Sequence, residues 1–258
     1  MKGIENLIKI MVDPHTHTIA SGHAFSTISE NAIGASEKGL DAIAMTDHFG
    51  PMFWNGKNPD FGAMMNMSSL PQKIHGVRVL AGAEIDIIDL DGNLAGKDLY
   101  TPFTGGVNAC DCLLDSREVA IASLHFLGGM EGAKSSDFTQ MYINVINNPK
   151  IDIIGHPGRL NIPFDIDEIV KSARDAGTCI EINSSKLMFP DTRRRCREIA
   201  LCCAENDCPV VISSDAHSAF FIGEVSDAIQ MLEEIHFPEK LVINATSERF
   251  YDFLGIEK

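Results

Sequence analysis

The chain has 258 residues, a formal charge of −15 and 45% apolar residues. That suffices for one large domain with a full core, and α/β barrels of this size are common as single domains. The acidic balance speaks against an extended nucleic-acid surface, which needs clustered Lys and Arg, and no apolar run approaches the ~18 residues that cross a membrane.

Short runs rich in Ile and Val alternate with helical stretches along the chain. The opening segment, MKGIENLIKIMVDPHTH, has no small-residue cleavage site. It reads as a first strand, Ile8–Val12, rather than a signal peptide, and a cytoplasmic protein is the default expectation. Further strands are expected at Ala42–Thr46, Val77–Ala83, Val119–Leu124, Ile151–Ile154, Thr178–Ile182 and Val210–Ser213. They are continuous apolar runs, the pattern of strands buried on both faces. Between them, helices are expected at Ser29–Lys38, Phe138–Asn147, Ile166–Asp175, Thr192–Asn206 and Glu224–Ile235, with Glu248–Leu254 closing the chain. Gly39 and Gly177 supply stop signals after two of them. Repeated strand–helix units imply parallel strands, so the expected fold is α/β, a distorted (β/α)7 barrel of TIM-like form in a single domain, residues 1–258. Leu241–Asn244 is a candidate for a short eighth strand. Phe49–Pro71 and Asp86–Gly106 read as long loops, and loops after strands are where such barrels place their sites. The seven cysteines include no C-x-x-C pair and read as reduced thiols.

Seven of the nine histidines fall at or just after expected strand ends: His15, His17, His23, His48, His125, His156 and His217. Glu84 holds the same place after strand three, and Asp215 precedes His217 by two. In a parallel barrel all these ends share one rim, so residues spread over the whole chain converge there. His15 and His17, like Asp215 and His217, are two apart, which on a strand means one face. Imidazole and carboxylate are the usual ligands of zinc, manganese and iron. At about three or four ligands per ion, nine such residues imply two or three metals with a bridging carboxylate. His75 and His236 fit no such position and read as ordinary surface histidines.

The phrase Asp13-Pro14-His15-Thr16-His17, followed by His23-Ala24-Phe25-Ser26-Thr27, resembles the opening motif of the PHP family (polymerase and histidinol phosphatase). Thr46-Asp47-His48, Gly82-Ala83-Glu84, His125, Gly155-His156-Pro157 and Ser214-Asp215-Ala216-His217 are similar to its later motifs, in order. The likeness runs from Asp13 to about Phe253 and is nearest to the stand-alone bacterial phosphatases of the YcdX type, through Glu181-Ile182-Asn183-Ser184-Ser185 and Asp215-Ala216-His217-Ser218-Ala219-Phe220. The resemblance implies a three-metal site, zinc first, with manganese or iron as alternatives. It implies His15, His17, Glu84 and Asp215 on one ion, Glu84, His125 and His156 on a second, and His23, His48 and His217 on a third. The loop Phe49–Asn55 and the region Lys97–Arg117 match no pattern.

The expected activity is hydrolysis of a small phosphomonoester, a histidinol-phosphate-like compound among the candidates. Three divalent ions against the two carboxylates leave about +4, an anion trap inside an acidic protein. A metal-bound hydroxide would attack phosphorus in line. Glu84 and Asp215 are the expected catalytic carboxylates. Arg159 would grip a phosphate oxygen, and Lys186 and Arg193 are placed to do the same. Asp13 and Asp47 are candidates for orienting ligand rings. Competing readings are a metal-dependent nuclease or phosphodiesterase, a barrel that binds metal without turnover, and an amidohydrolase, for which no carbamylated-lysine candidate stands at a strand end. A homo-oligomer is left open.

Overall fold

The structure is a computed structural model that describes residues 8–54 and 61–257. Part of the expected Phe49–Pro71 loop, residues 55–60, lies outside the described residues. The elements run in chain order: β1 (Val12–Thr16), α1 (Ile28–Glu37), β2 (Ala42–Met45), β3 (His48–Phe49), α2 (Gly62–Met65), β4 (Lys73–Ile74), β5 (Val77–Asp86), α3 (Ala109–Leu114), β6 (Val119–Ser123), α4 (Ser135–Ile146), β7 (Ile153–Gly155), α5 (Ile166–Ala176), β8 (Cys179–Asn183), α6 (Pro190–Glu205), β9 (Val210–Ser213), α7 (Ser226–Glu234) and α8 (Ser247–Leu254). Seven strands pair in parallel in the order β1-β2-β5-β6-β7-β8-β9. They form a nearly closed barrel wrapped by helices, a single domain.

Closure at the β1–β9 seam is thin. One parallel bridge joins Thr16 to Ala216, where the His17 N–H donates to the Ala216 carbonyl at 2.9 Å. Below it, the buried Asn244 acts as a clamp. Its Nδ2 donates to the Val12 carbonyl (2.8 Å) and the Ile212 carbonyl (2.6 Å), while its Oδ1 accepts the Ile212 N–H. The expected eighth strand at Leu241–Asn244 is therefore absent. The segment forms two single 3-10 turns, Glu239–Leu241 and Ile243–Ala245, with only one isolated parallel bridge, Val242 to Val210, while Asn244 reaches both seam strands through its side chain.

The first strand is also displaced: Val12–Thr16 instead of Ile8–Val12. Apolarity ends at Val12, but the strand continues through buried Asp13, His15 and Thr16, of which Asp13 and Thr16 pair with β2. Pro14 has no N–H for the ladder, and the register shifts between Asp13 and Thr16. Helix expectations agree to within a few residues. Thr27 caps α1 in a reciprocal box with Glu30, and α5 runs from an Asp165 cap to Gly177 in left-handed conformation (φ 78°). The short elements β4, α2 and α3 carry no strong period and were not expected.

The inner core explains where the site sits. Val12, Ala42, Leu80, Val119, Ile121, Ile153, Cys179 and Val211 meet inside the barrel, closed by Phe250 and Tyr251 of α8. Side chains two apart on a strand share a face. The same phase that buries Leu80 thus brings Glu84 and Asp86 inward on β5, and Cys179 is followed by Glu181 on β8. Apolar residues fill one end of the barrel and polar ones the other.

Candidate metal centre

Glu84, wholly buried, stands at the centre of the polar end. Its two carboxylate oxygens face five imidazoles: His15 Nε2 at 3.3 Å, His17 Nε2 at 3.6 Å, His48 Nδ1 at 2.7 Å, His125 Nε2 at 3.3 Å and His156 Nε2 at 2.9 Å. Asp215 Oδ1 lies 3.1 Å from His17 Nε2 and 3.7 Å from His15 Nε2. His23 and His217 stand further out, their Nε2 atoms 2.9 Å apart. All nine expected residues are thus brought to one rim. Phe53, which sequence reasoning missed, stacks on His48 (centroids 3.9 Å apart) and on His23 (5.2 Å).

The ring partners fix which nitrogens point inward. A neutral imidazole has one N–H and one bare nitrogen, and a carboxylate or carbonyl oxygen can only accept. His15 Nδ1 faces Glu181 Oε1 at 2.7 Å, and His125 Nδ1 faces Asp86 Oδ1 at 2.7 Å. Both Nδ1 atoms therefore carry the proton. Ser21 Oγ donates to Asp47 Oδ1 (2.6 Å), so it accepts from His17 Nδ1 (3.2 Å). The outer pair donate to backbone: His23 Nδ1 to the Ser21 carbonyl (3.1 Å) and His217 Nδ1 to the Asp215 carbonyl (2.9 Å). In the neutral rings all five Nε2 atoms are bare and aimed at other acceptors. The inward His15 Nε2, His125 Nε2, His48 Nδ1 and Glu84 Oε2 are buried without a hydrogen-bond partner.

Bare nitrogens facing carboxylate oxygens at 2.7–3.7 Å repel, and positive charge between them, a proton or a metal ion, makes the arrangement favourable. Three overlapping groups have ligand atoms within 4.8 Å of one another: His15–His17–Asp215, His48–Glu84–His125 and His17–His48–His217. Each could hold a cation, and imidazole with carboxylate fits zinc, manganese or iron. The grouping departs from the expected one: His17 stands with His48 and His217 in place of His23, His48 stands with Glu84 and His125 in place of His156, Glu84 is absent from the His15–His17–Asp215 group, and His23 and His156 fall in none of the three.

Electrostatics follow the same layout. Burial would raise Glu84 and Asp215, but the surrounding histidines hold both well below the carboxylate range. Burial and neighbouring imidazoles push His17 well below the usual range. His125, despite burial, is pushed up to about 10 by Glu84 and Asp86. Two of the site residues also hold unusual backbone: His156 (φ 28°) and Asp215 (φ 53°). Such non-glycine conformations cost ~1–3 kcal/mol and cluster where side chains must be aimed.

The PHP domain model matches residues 13–185 of this sequence. The chain belongs to the PHP domain family. A protein of Caldanaerobacter subterraneus subsp. tengcongensis, named a probable phosphatase, is 39% identical, covering 98% of this chain and 94% of that one. Another so named, from Acetivibrio thermocellus, is 34% identical over 97% of this chain and 98% of its own. The crystal structure of histidinol phosphate phosphatase from Lactococcus lactis subsp. lactis, complexed with zinc, L-histidinol and phosphate, has a TM-score of 0.60 and 16% identity. That match covers 88% of this chain and 94% of that chain and speaks to the fold.

Several roles in this PHP chain differ from expectation. Asp13 touches no imidazole. It accepts from Ser214 N–H and Oγ and from Gly223 N–H, tying β1 to the loops after β9. Asp47 reaches His17 only through Ser21. Glu181 and Asp86 do the direct orienting. Glu181 also accepts from the His156 N–H and from Ser213 Oγ. Their signal was available: a charged residue in phase with the inner core of a strand. Gly50 leaves the space that the Asp86 carboxylate fills, since a Cβ there would lie 1.7 Å from Oδ2. With Glu181 and Asp86 included, three divalent ions would net about +2 instead of +4.

Arg159 lies at the edge of the cluster, its Nη1 3.8 Å from Asp215 Oδ2. Arg193 does not face the site. Its Nη2 is held by Glu234 at 3.0 Å, linking α6 to α7. His75 and His236 are exposed and apart from the cluster.

Proposed function

We propose that this protein is a metal-dependent phosphoesterase that hydrolyses a small phosphomonoester at a three-metal site. The chain is a hydrolase of phosphoric esters: relatives alike over nearly the full length of both chains are named phosphatases. The observation that carries the finer reading is the set of imidazole nitrogens turned inward on Glu84 and Asp215, several of them buried without a hydrogen-bond partner. Their overlapping groups support three cation positions, with His17 and His48 each shared between two groups.

Divalent ions there would supply Lewis acidity and water of lowered pKa. The protein's own contribution is positional. Glu181 and Asp86 lock ring orientation, and Glu84 and Asp215 set the charge. Arg159 would bind a phosphate oxygen, a bidentate task suited to a planar guanidinium. Zinc is the first candidate, with manganese or iron equally served by these donors. All seven cysteines are unpaired, which supports a reducing setting such as the cytoplasm.

The test is a pair of chromogenic esters before and after chelation. Phosphate release from p-nitrophenyl phosphate, lost on chelation and restored by zinc, manganese or iron, is expected. Faster cleavage of bis(p-nitrophenyl) phosphate would replace the reading with a phosphodiesterase. Bound metal without turnover of either would leave a non-catalytic barrel.

A further inference from the structure

Beside the His23–His217 corner opens a cavity of about 530 Å³, large enough for a whole small ligand rather than a phosphate alone. Its wall includes Arg159, Lys186, Met188 and Phe221. We propose that this cavity takes the leaving group, and that Lys186 selects phosphomonoesters whose leaving group carries a second anion, either a carboxylate or another phosphate. The inference rests on the monoesterase reading above and extends it to substrate class.

Three observations carry it. First, Lys186 has no ion pair among the described residues, in a chain with 36 acidic residues against 21 basic ones. Cations on neighbouring surfaces are matched: Arg193 with Glu234, Arg194 with Glu198, Lys38 with Glu224. Second, the backbone that presents it is fixed. Ser185 N–H and Oγ both donate to Asn183 Oδ1, at 3.0 and 2.7 Å, and Leu187 on the other side is buried with its N–H bonded to the Ser184 carbonyl. Lys186 is held between two anchored residues while its side chain stays exposed. Third, the cations are graded by depth. Arg159 sits 3.8 Å from Asp215 at the edge of the cluster, where it would meet the phosphate, leaving Lys186 for a group further along.

Two of the three acids in the wall are engaged elsewhere. Asp215 faces the histidines, and Glu224 is held by Lys38 and Ser226. Asp227 stands exposed on α7. An ammonium is a compact point charge on a flexible stem, suited to an anion of variable position, and such complementarity sets specificity.

Calorimetry on the zinc-loaded protein with non-hydrolysable phosphonates tests the proposal. 3-Phosphonopropionate should bind about tenfold tighter than propylphosphonate, the size of one charge-assisted contact. Propane-1,3-bisphosphonate in a third arm tells which second anion is preferred. In Lys186→Ala the ratio of second-anion compound to propylphosphonate should fall to about one, and Lys186→Arg should restore most of it. A ratio near one in the unaltered protein, or one that survives Lys186→Ala, would overturn the inference alone. No binding of any phosphonate would overturn the monoesterase reading together with it.

Discussion

The deep and outer halves of the cluster are held by different kinds of atom. In the deep half, His15 and His125 are backed by carboxylates, Glu181 and Asp86, and the groups they face are buried. At the rim, His23 and His217 are backed only by the carbonyls of Ser21 and Asp215, and His23 is exposed. A carboxylate behind an imidazole fixes its tautomer and raises its basicity; a loop carbonyl fixes the tautomer with less charge. On the proposed three-metal reading, the deep half would hold its ions more tightly than the rim.

The most damaging way to break this contrast is Glu84→Ala, which removes the group shared by five imidazoles. Activity should fall ~10³-fold or more, and elemental analysis should show loss of deep metals as well as rim metal. His217→Ala should act on the rim alone. Metal content should drop by one ion per chain, with activity down ~10²-fold, while the deep ions stay through dialysis. Glu181→Gln keeps the shape and removes the charge behind His15. Metal affinity in the deep half should weaken ~10–100-fold, read by competition with a chelating dye, with little change in activity at saturating metal.

The smallest effect comes from a half-buried acid that has no histidine. Asp152, before β7 at the opposite end of the barrel, is pushed up to about 6 by burial, and its one bond from the Ala120 N–H pulls the other way. Its unfolded pKa is ~3.9, so the folded chain holds this proton more tightly. The contribution to stability is full below about pH 4 and is lost as pH rises through about 6. Asp152→Asn should remove that loss. The stability gap between variant and parent, from urea unfolding, should widen by ~2 kcal/mol between pH 4 and pH 7, with activity unchanged. A constant gap would mean that burial there does not suppress ionisation.

Much of the barrel was legible in the chain, because strands buried on both faces leave continuous apolar runs. What escaped lies where the chain turns polar to build the site. β1 begins at Val12, the point where its expected span ended, since its buried ladder is written in Asp, His and Thr. Asn244 replaces an expected strand through side-chain bonds to two strands, which no hydrophobic pattern records. The nine rim residues were visible from strand-end placement. Glu181 and Asp86 were not, because a carboxylate on an inner face looks like part of a strand or the start of a loop. Their phase with Cys179 and Leu80 would have placed them. Arg193 shows the converse: its position after β8 said nothing of the Glu234 partner on α7.

Metal stoichiometry tests the central claim most directly. The protein, purified without oxygen, would be analysed for zinc, manganese and iron per chain beside Glu84→Ala prepared in the same way. Three divalent ions in the parent and a loss of at least two in the variant are predicted. Fewer than two ions in the parent, or an unchanged content in Glu84→Ala, would contradict a metal cluster organised around that carboxylate.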